Sequence, residues 1–140
     1  MGCKIEEEPE GLVLNAPAQL SGVSVDMHWC EDTFMALAVI APFAQSPTTI
    51  TNIGHMRLQE TDRLSAMRAG LQLVGIKVEE GNDWLRIYPG EPQPAVIDSG
   101  NDCRVGMAFA VMGLKTGITI ENAGCVARNY PDFFRLLESF

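Results

Sequence analysis

The spacing of apolar positions changes repeatedly along the chain, and each change marks an element. Residues 23–27 predict a strand leading into a helix over 32–45. The apolar positions Phe34, Leu37, Ala38, Ala41 and Phe43 cover much of that helix, so it is expected to be buried on most sides. A short β-branched strand follows at 48–53. Leu64, Met67, Leu71 and Val74 recur at helical spacing around 60–73, and Gly75 stands where a C-terminal cap belongs. Strands 76–80 and 84–88 form a hairpin around Gly81-Asn82-Asp83. A strand at 95–98, a helix at 103–113, a strand at 117–121 and a helix at 131–138 follow. The fold class is α/β (α+β).

The pattern repeats. Gly2-Cys3-Lys4-Ile5-Glu6-Glu7 matches Gly75-Ile76-Lys77-Val78-Glu79-Glu80, and Leu12-Val13-Leu14 matches Leu85-Arg86-Ile87. Val25-Asp26 matches Ile97-Asp98, and Met35-Ala36-Leu37-Ala38-Val39 matches Met107-Ala108-Phe109-Ala110-Val111. Thr49-Ile50-Thr51-Asn52-Ile53-Gly54 matches Thr119-Ile120-Glu121-Asn122-Ala123-Gly124, and Asp62 falls on Asp132. One unit is strand, helix, strand, helix, strand, strand. In this phase residues 1–14 are the closing hairpin of a preceding unit, 23–88 are one complete unit, and 95–140 are a second, incomplete one. The expectation is a piece of a longer repeat protein, since repeats bury their faces against neighbours.

Composition narrows the function. The chain has 140 residues, 46% of them apolar, and a net charge of −8, which describes a folded globular chain rather than a disordered one. Its acidity argues against nucleic acid as a partner. The longest apolar run, Phe34 to Ala44, is helix-sized and too short to span a membrane. Met1 to Glu8 holds no signal-peptide core, so the expected location is cytoplasmic. Cys3, Cys30, Cys103 and Cys125 form no C-x-x-C pair, and with only His28 and His55 beside them there is no usual zinc spacing.

Polar residues concentrate in the four connections from a strand to the next helix. These hold His28, Glu31 and Asp32; His55, Arg57, Gln59, Glu60, Asp62 and Arg63; Asn101, Asp102, Cys103 and Arg104; and Arg128, Asn129 and Asp132. In a parallel-type unit these connections share one rim, where arginines can receive phosphate or carboxylate. Taken singly, Asp32, Glu60, Asp62, Asp102 and Asp132 are all placed to cap helices. Acids and arginines together on one rim, in both units, point to an anion site.

The stretch Asn52 to Arg63, with Gln59-Glu60-Thr61-Asp62-Arg63 at its end, resembles the 5-enolpyruvylshikimate-3-phosphate synthase family (3-phosphoshikimate 1-carboxyvinyltransferases), the glyphosate-inhibited enzymes of the shikimate pathway. The family pattern there is Asn, a spacer, Arg, then Lys-Glu-Thr-Asp-Arg. Asp26-Met27 through Asp32-Thr33-Phe34-Met35, Asn101-Asp102-Cys103-Arg104-Val105-Gly106-Met107-Ala108, and Cys125 through Phe134 resemble three further family motifs, in order.

The resemblance implies an enolpyruvyl transferase (α/β prism) fold of two domains, each of three such units. The active site lies in the cleft between them, and this chain would match the C-terminal third. The implied partners are phosphoenolpyruvate, shikimate 3-phosphate and the remaining N-terminal part of the same enzyme; no metal or organic cofactor is implied. Asp32 would hold and help deprotonate the attacking hydroxyl, and Glu60 would transfer protons at the methylene carbon. Arg63 and Arg104 would clamp phosphoenolpyruvate, and Arg128 would stand for a phosphate-binding Lys. Gln59 replaces the family Lys, and Cys103 the family His. Those exchanges leave two other readings open: a non-catalytic anion-binding copy, and a transferase for another phosphorylated alcohol.

Overall fold

The computed structural model describes residues 1–59 and 61–140, with the side chain of Glu31 left aside. Strands β1 (Lys4–Glu8) and β2 (Gly11–Asn15) form an antiparallel hairpin on their own. Strands β3 (Ser24–Asp26), β4 (Thr48–Thr51), β5 (Val78–Glu80) and β6 (Leu85–Ile87) make one sheet in the order β3-β4-β6-β5. Within it β3 and β4 are parallel, and the β5–β6 hairpin adds antiparallel through β6, with Thr48 opposite Ile87 and Ile50 opposite Leu85. Strands β7 (Ala95–Asp98) and β8 (Ile118–Glu121) are a parallel pair without a hairpin beside them among the described residues.

Helix α1 (Phe34–Ile40) is shorter than the 32–45 expected. A 3-10 turn, Glu31–Thr33, precedes it and another, Ala41–Phe43, follows, with Pro42 unable to donate to a helical ladder. Helix α2 (Arg63–Leu73) begins three residues later than expected, because the Asp62 carboxylate accepts from the Ser65 N–H and caps it there. The segment before it, Gly54–Leu58, is a 3-10 turn rather than loop. Helix α3 (Cys103–Thr116) runs three residues beyond expectation, to Gly117 in the left-handed conformation. Helix α4 (Gly124–Asn129) was not expected from the pattern, and α5 (Phe133–Leu137) is a single turn.

The core explains why this arrangement holds. Phe34, Met35, Ala38 and Val39 of α1, Leu64, Met67 and Leu71 of α2, and Val105, Phe109 and Met112 of α3 close over Ile50, Leu85, Ile87 and Ile97 from the sheets. Phe34, Met35, Ala38 and Val39 bury one side of α1, while Leu37 is half-buried and Ala36 and Ile40 stay exposed, so the helix is less enclosed than its apolar circumference suggests. Gly70 lets α2 meet α3, since a Cβ there would lie 2.3 Å from the Phe109 ring. No helix among the described residues is long and apolar enough to cross a membrane.

The two units keep the same turns. Asn52 and Asn122 both sit at positive φ, 58° and 56°, and their side-chain amides donate to Asp26 and Asp98 at the ends of the neighbouring parallel strands. The backbone N–H of His28 donates to Asp26 Oδ1, and that of Gly100 to Asp98 Oδ1, each at 2.9 Å. The loops that follow β3 and β7 are thereby aimed alike.

Candidate functional site

Four strand-to-helix connections meet at one rim, and two buried groups anchor it. Asp102 caps α3 through Oδ1, which accepts from the Arg104 N–H at 2.9 Å. Its Oδ2 accepts from Arg63 Nε at 2.6 Å, and both side chains are almost fully buried. The first residue of α2 is thus tied to the start of α3. A charge-assisted bond removed from water in this way fixes the guanidinium plane.

Asp32 does not cap a helix. It lies in the 3-10 turn before α1 and bridges the arginines: Oδ1 stands 3.1 Å from Arg104 Nε and 4.0 Å from Arg63 Nη1. It remains more than half exposed, so one face of the carboxylate is open to a ligand. Arg128, from α4, reaches across and donates to Asn101 Oδ1 at 3.0 Å. Among the described residues it forms no ion pair with a carboxylate. Asn129 Nδ2 lies 2.9 Å from Cys103 Sγ.

Together Arg63, Asn101, Asp102, Cys103, Arg104, Cys125, Arg128 and Asn129 line a cleft of about 310 Å³. Three guanidinium groups face it against one buried carboxylate, with Asp32 at its edge. Such a site can hold a multiply charged phosphate or carboxylate while offering one acceptor to a hydroxyl.

Of the residues singled out from the sequence, Asp32, Arg63, Cys103, Arg104 and Arg128 come together here. Gln59 is exposed at the end of the 3-10 turn, and no hydrogen bond among the described residues ties it to the cleft. Glu60 lies outside the described residues. Asp102, Asn101 and Asn129 line the cleft but carried no role beyond capping or rim position in the sequence reading. Only the distance in space between Arg63 and Asp102, 39 residues apart, reveals that pair. Arg57 is occupied structurally: its guanidinium donates to Asp62, Ser65, Glu80 and the carbonyls of Gly81 and Asn82, pinning the β5–β6 hairpin to the start of α2.

The family model of EPSP synthase (3-phosphoshikimate 1-carboxyvinyltransferase) matches residues 1–137. The chain is 46% identical over 135 residues to the 3-phosphoshikimate 1-carboxyvinyltransferase of Nostoc punctiforme, covering 96% of this chain and 32% of that protein. It is 41% identical over 138 residues to the protein of that name from Methanosphaerula palustris, covering 98% and 33%. The fold superposes on EPSP synthase from Acinetobacter baumannii with a TM-score of 0.86 at 26% identity, over 99% of this chain and 36% of that one. The enolpyruvyl transferase NikO from Streptomyces tendae shares the fold, with a TM-score of 0.74 at 18% identity. The chain spans about a third of the length of the curated relatives it matches.

Proposed function

The chain belongs to the EPSP synthase family, and from that premise we propose that it supplies one wall of the cleft in which the enolpyruvyl group of phosphoenolpyruvate passes to the 5-hydroxyl of shikimate 3-phosphate. The observation that carries this reading is Asp32 held open-faced between Arg104 and Arg63, with Arg128 across the cleft. Residues 1–14, 23–88 and 95–140 act as the end of one repeat unit, a complete unit and an incomplete one. The remainder of the enzyme supplies the opposite wall.

The chemistry asks for what these side chains offer. The hydroxyl attacks the carbon bearing the phosphate while the methylene carbon takes a proton, and the tetrahedral intermediate then loses phosphate. Asp32 accepts the hydroxyl proton, and its pairing with two arginines orients the carboxylate toward the incoming alcohol. Arg104 and Arg63 meet the carboxylate and phosphate of phosphoenolpyruvate, and Arg128 stabilises charge as the phosphate leaves. Glu60 exchanges the proton at the methylene carbon. Gln59 contributes a neutral donor where the family pattern has a cation, so the site holds shikimate 3-phosphate less tightly than relatives with Lys. Cys103, held beside Asn129, takes the family His position.

An amide NMR titration of this chain with phosphoenolpyruvate, with and without shikimate 3-phosphate, tests the reading. Shifts at Asp32, Arg63, Arg104 and Arg128 are expected. Peaks that stay still with both ligands, alone and after addition of the remaining two-thirds of the Nostoc punctiforme relative, would sink it.

A further inference from the structure

Two turns at equivalent positions of the repeat are wound differently. Asp26 ends β3 and Asp98 ends β7, and each carboxylate accepts from the backbone N–H two residues on. Each turn then closes in the same way. The Cys30 N–H donates to the Met27 carbonyl at 3.1 Å, and the Asp102 N–H to the Ser99 carbonyl at 3.0 Å. At the centre they part. Gly100 and Asn101 sit at φ of 58° and 64°, whereas His28 and Trp29 stay at negative φ. Left-handed backbone at both central residues of a four-residue turn suits glycine and asparagine and few other residues. A buried hydroxyl supports that form from below. Ser99 is 1% exposed, and its Oγ accepts from the Asn101 N–H at 3.2 Å while donating to the Asn122 carbonyl. Met27, at the equivalent position, has no hydroxyl to offer.

The two side chains accordingly go to different places. Trp29 is 91% exposed and lines the cavity beside Asp32. Asn101 lines the cleft, where its Oδ1 accepts from Arg128 Nη2 at 3.0 Å. That is the one hydrogen bond of the Arg128 guanidinium among the described residues. Helix α4, which carries Arg128, is six residues long, and a second side-chain bridge, Asn129 Nδ2 to Cys103 Sγ, ties its last turn to the start of α3. An exposed arginine on so short a support has many rotamers open to it, and Asn101 selects one. A guanidinium only donates, so the Asn101 carboxamide turns its oxygen to Arg128 and keeps its NH2 for another acceptor. Among the described residues that NH2 donates to no protein group.

We propose that Asn101 is a positioning residue for the anion bound in the cleft. Its carboxamide oxygen fixes the guanidinium of Arg128, and its NH2 is left to donate to the same anion. The left-handed turn at Gly100 and Asn101 is the device that brings the carboxamide to that place. The inference rests on the reading of the cleft as an anion site and adds an orienting side chain to it. Arginines alone supply charge; a neutral amide that holds one of them in a single rotamer lowers the ordering cost of binding.

The test compares Asn101→Gly with the unaltered chain in three measurements: amide NMR titration with inorganic phosphate, the Nε–Hε signal of Arg128, and urea unfolding. Glycine accepts left-handed backbone, so the turn and the urea midpoint should hold. The phosphate Kd should rise about five- to tenfold, the scale of ordering one long side chain, and the Arg128 signal should move toward that of a freely exposed arginine. Asn101→Asp, which tolerates the same backbone and keeps an acceptor for Arg128, should leave the Arg128 signal ordered and abolish phosphate binding, because it exchanges the donor for a negative charge. Unchanged phosphate affinity in either variant overturns the proposal and leaves the anion site standing. A weakened Kd that comes with a fallen urea midpoint in Asn101→Gly overturns it as well, by assigning Asn101 to the turn alone. If the unaltered chain takes up neither phosphate nor phosphoenolpyruvate, the reading of the cleft as the reaction site fails, and the Arg128 signal decides on Asn101: a signal that Asn101→Gly does not move refutes the positioning role.

Discussion

Asp102 bonds through both of its oxygens, one as a helix cap and one as the buried partner of Arg63. Removing it takes away the close partner of a buried guanidinium and leaves only Asp32, 4.0 Å away, a loss of up to about 3–5 kcal/mol. Asp102→Ala is therefore expected to lose stability on that scale in urea unfolding; a loss no larger than that of a simple exposed cap would show the pair to be dispensable. Gln59→Lys restores a cation to an exposed position and should tighten shikimate 3-phosphate binding in the NMR titration, whereas unchanged affinity would refute the charge argument. Acid sensitivity is also set at single residues. The Asn122 amide, followed by the Gly100 N–H, holds the Asp98 carboxyl below its ordinary value. The His28 N–H and then the Asn52 amide do the same for Asp26. A lowered carboxyl favours the folded state above the ordinary value and withdraws that support as pH falls through the lowered one. Stability should be flat near neutrality and drop below about pH 4, and Asn52→Gly with Asn122→Gly, which keep the backbone permissible at positive φ, should blunt the drop. At this scale the sequence announced which residue types cluster but not their division of labour. All five candidate acids stood near helix starts; only spatial neighbours separate Asp62 and Asp102, which cap, from Asp32, which bridges arginines.

Elements were legible where the apolar period was long and uninterrupted. Helix α3, the strands and the β5–β6 hairpin fall within a few residues of expectation. Helix α4 escaped because Gly124 to Asn129 is too short to show a period, and its carrying Arg128 into the cleft depends on that turn. Helix α1 was overextended because apolar composition continues through Pro42 although the hydrogen-bond ladder does not. The close approach of α2 and α3 depends on one missing side chain. Gly70→Ala places a Cβ 2.3 Å from the buried Phe109 ring. Overpacking of that kind costs about 1–3 kcal/mol, outweighing the helix propensity gained, so the urea midpoint should fall. A midpoint that rises would mean that the two helices can part without loss. Because α2 carries Arg63 and Asp102 caps α3, the same substitution should also perturb amide shifts at the cleft.

At the scale of the whole molecule, the relation between units matters more than any one of them. The family resemblance ran through ordered motifs over nearly the full chain, and that is why family and fold were readable from the sequence. What pairs with the solitary hairpin and the bare strand was not, since a repeat's phase tells which faces are unfilled but not what fills them. The chain covers about a third of its relatives' length, and the proposed function gives it only one wall of the cleft. The isolated chain is expected to release no phosphate from phosphoenolpyruvate in the presence of shikimate 3-phosphate. Turnover by the chain alone, measured as inorganic phosphate, would mean that one wall suffices.

Asp32 and Arg104 occupy one and the same position of the repeat, in turns held by the same Asp–Asn pairing. After duplication a single backbone address existed twice, facing its own image. Identical charges at the two addresses would repel, whereas one acidic and one basic copy attract. The cleft is therefore polar along the line that joins two equivalent positions, acidic at one end and basic at the other.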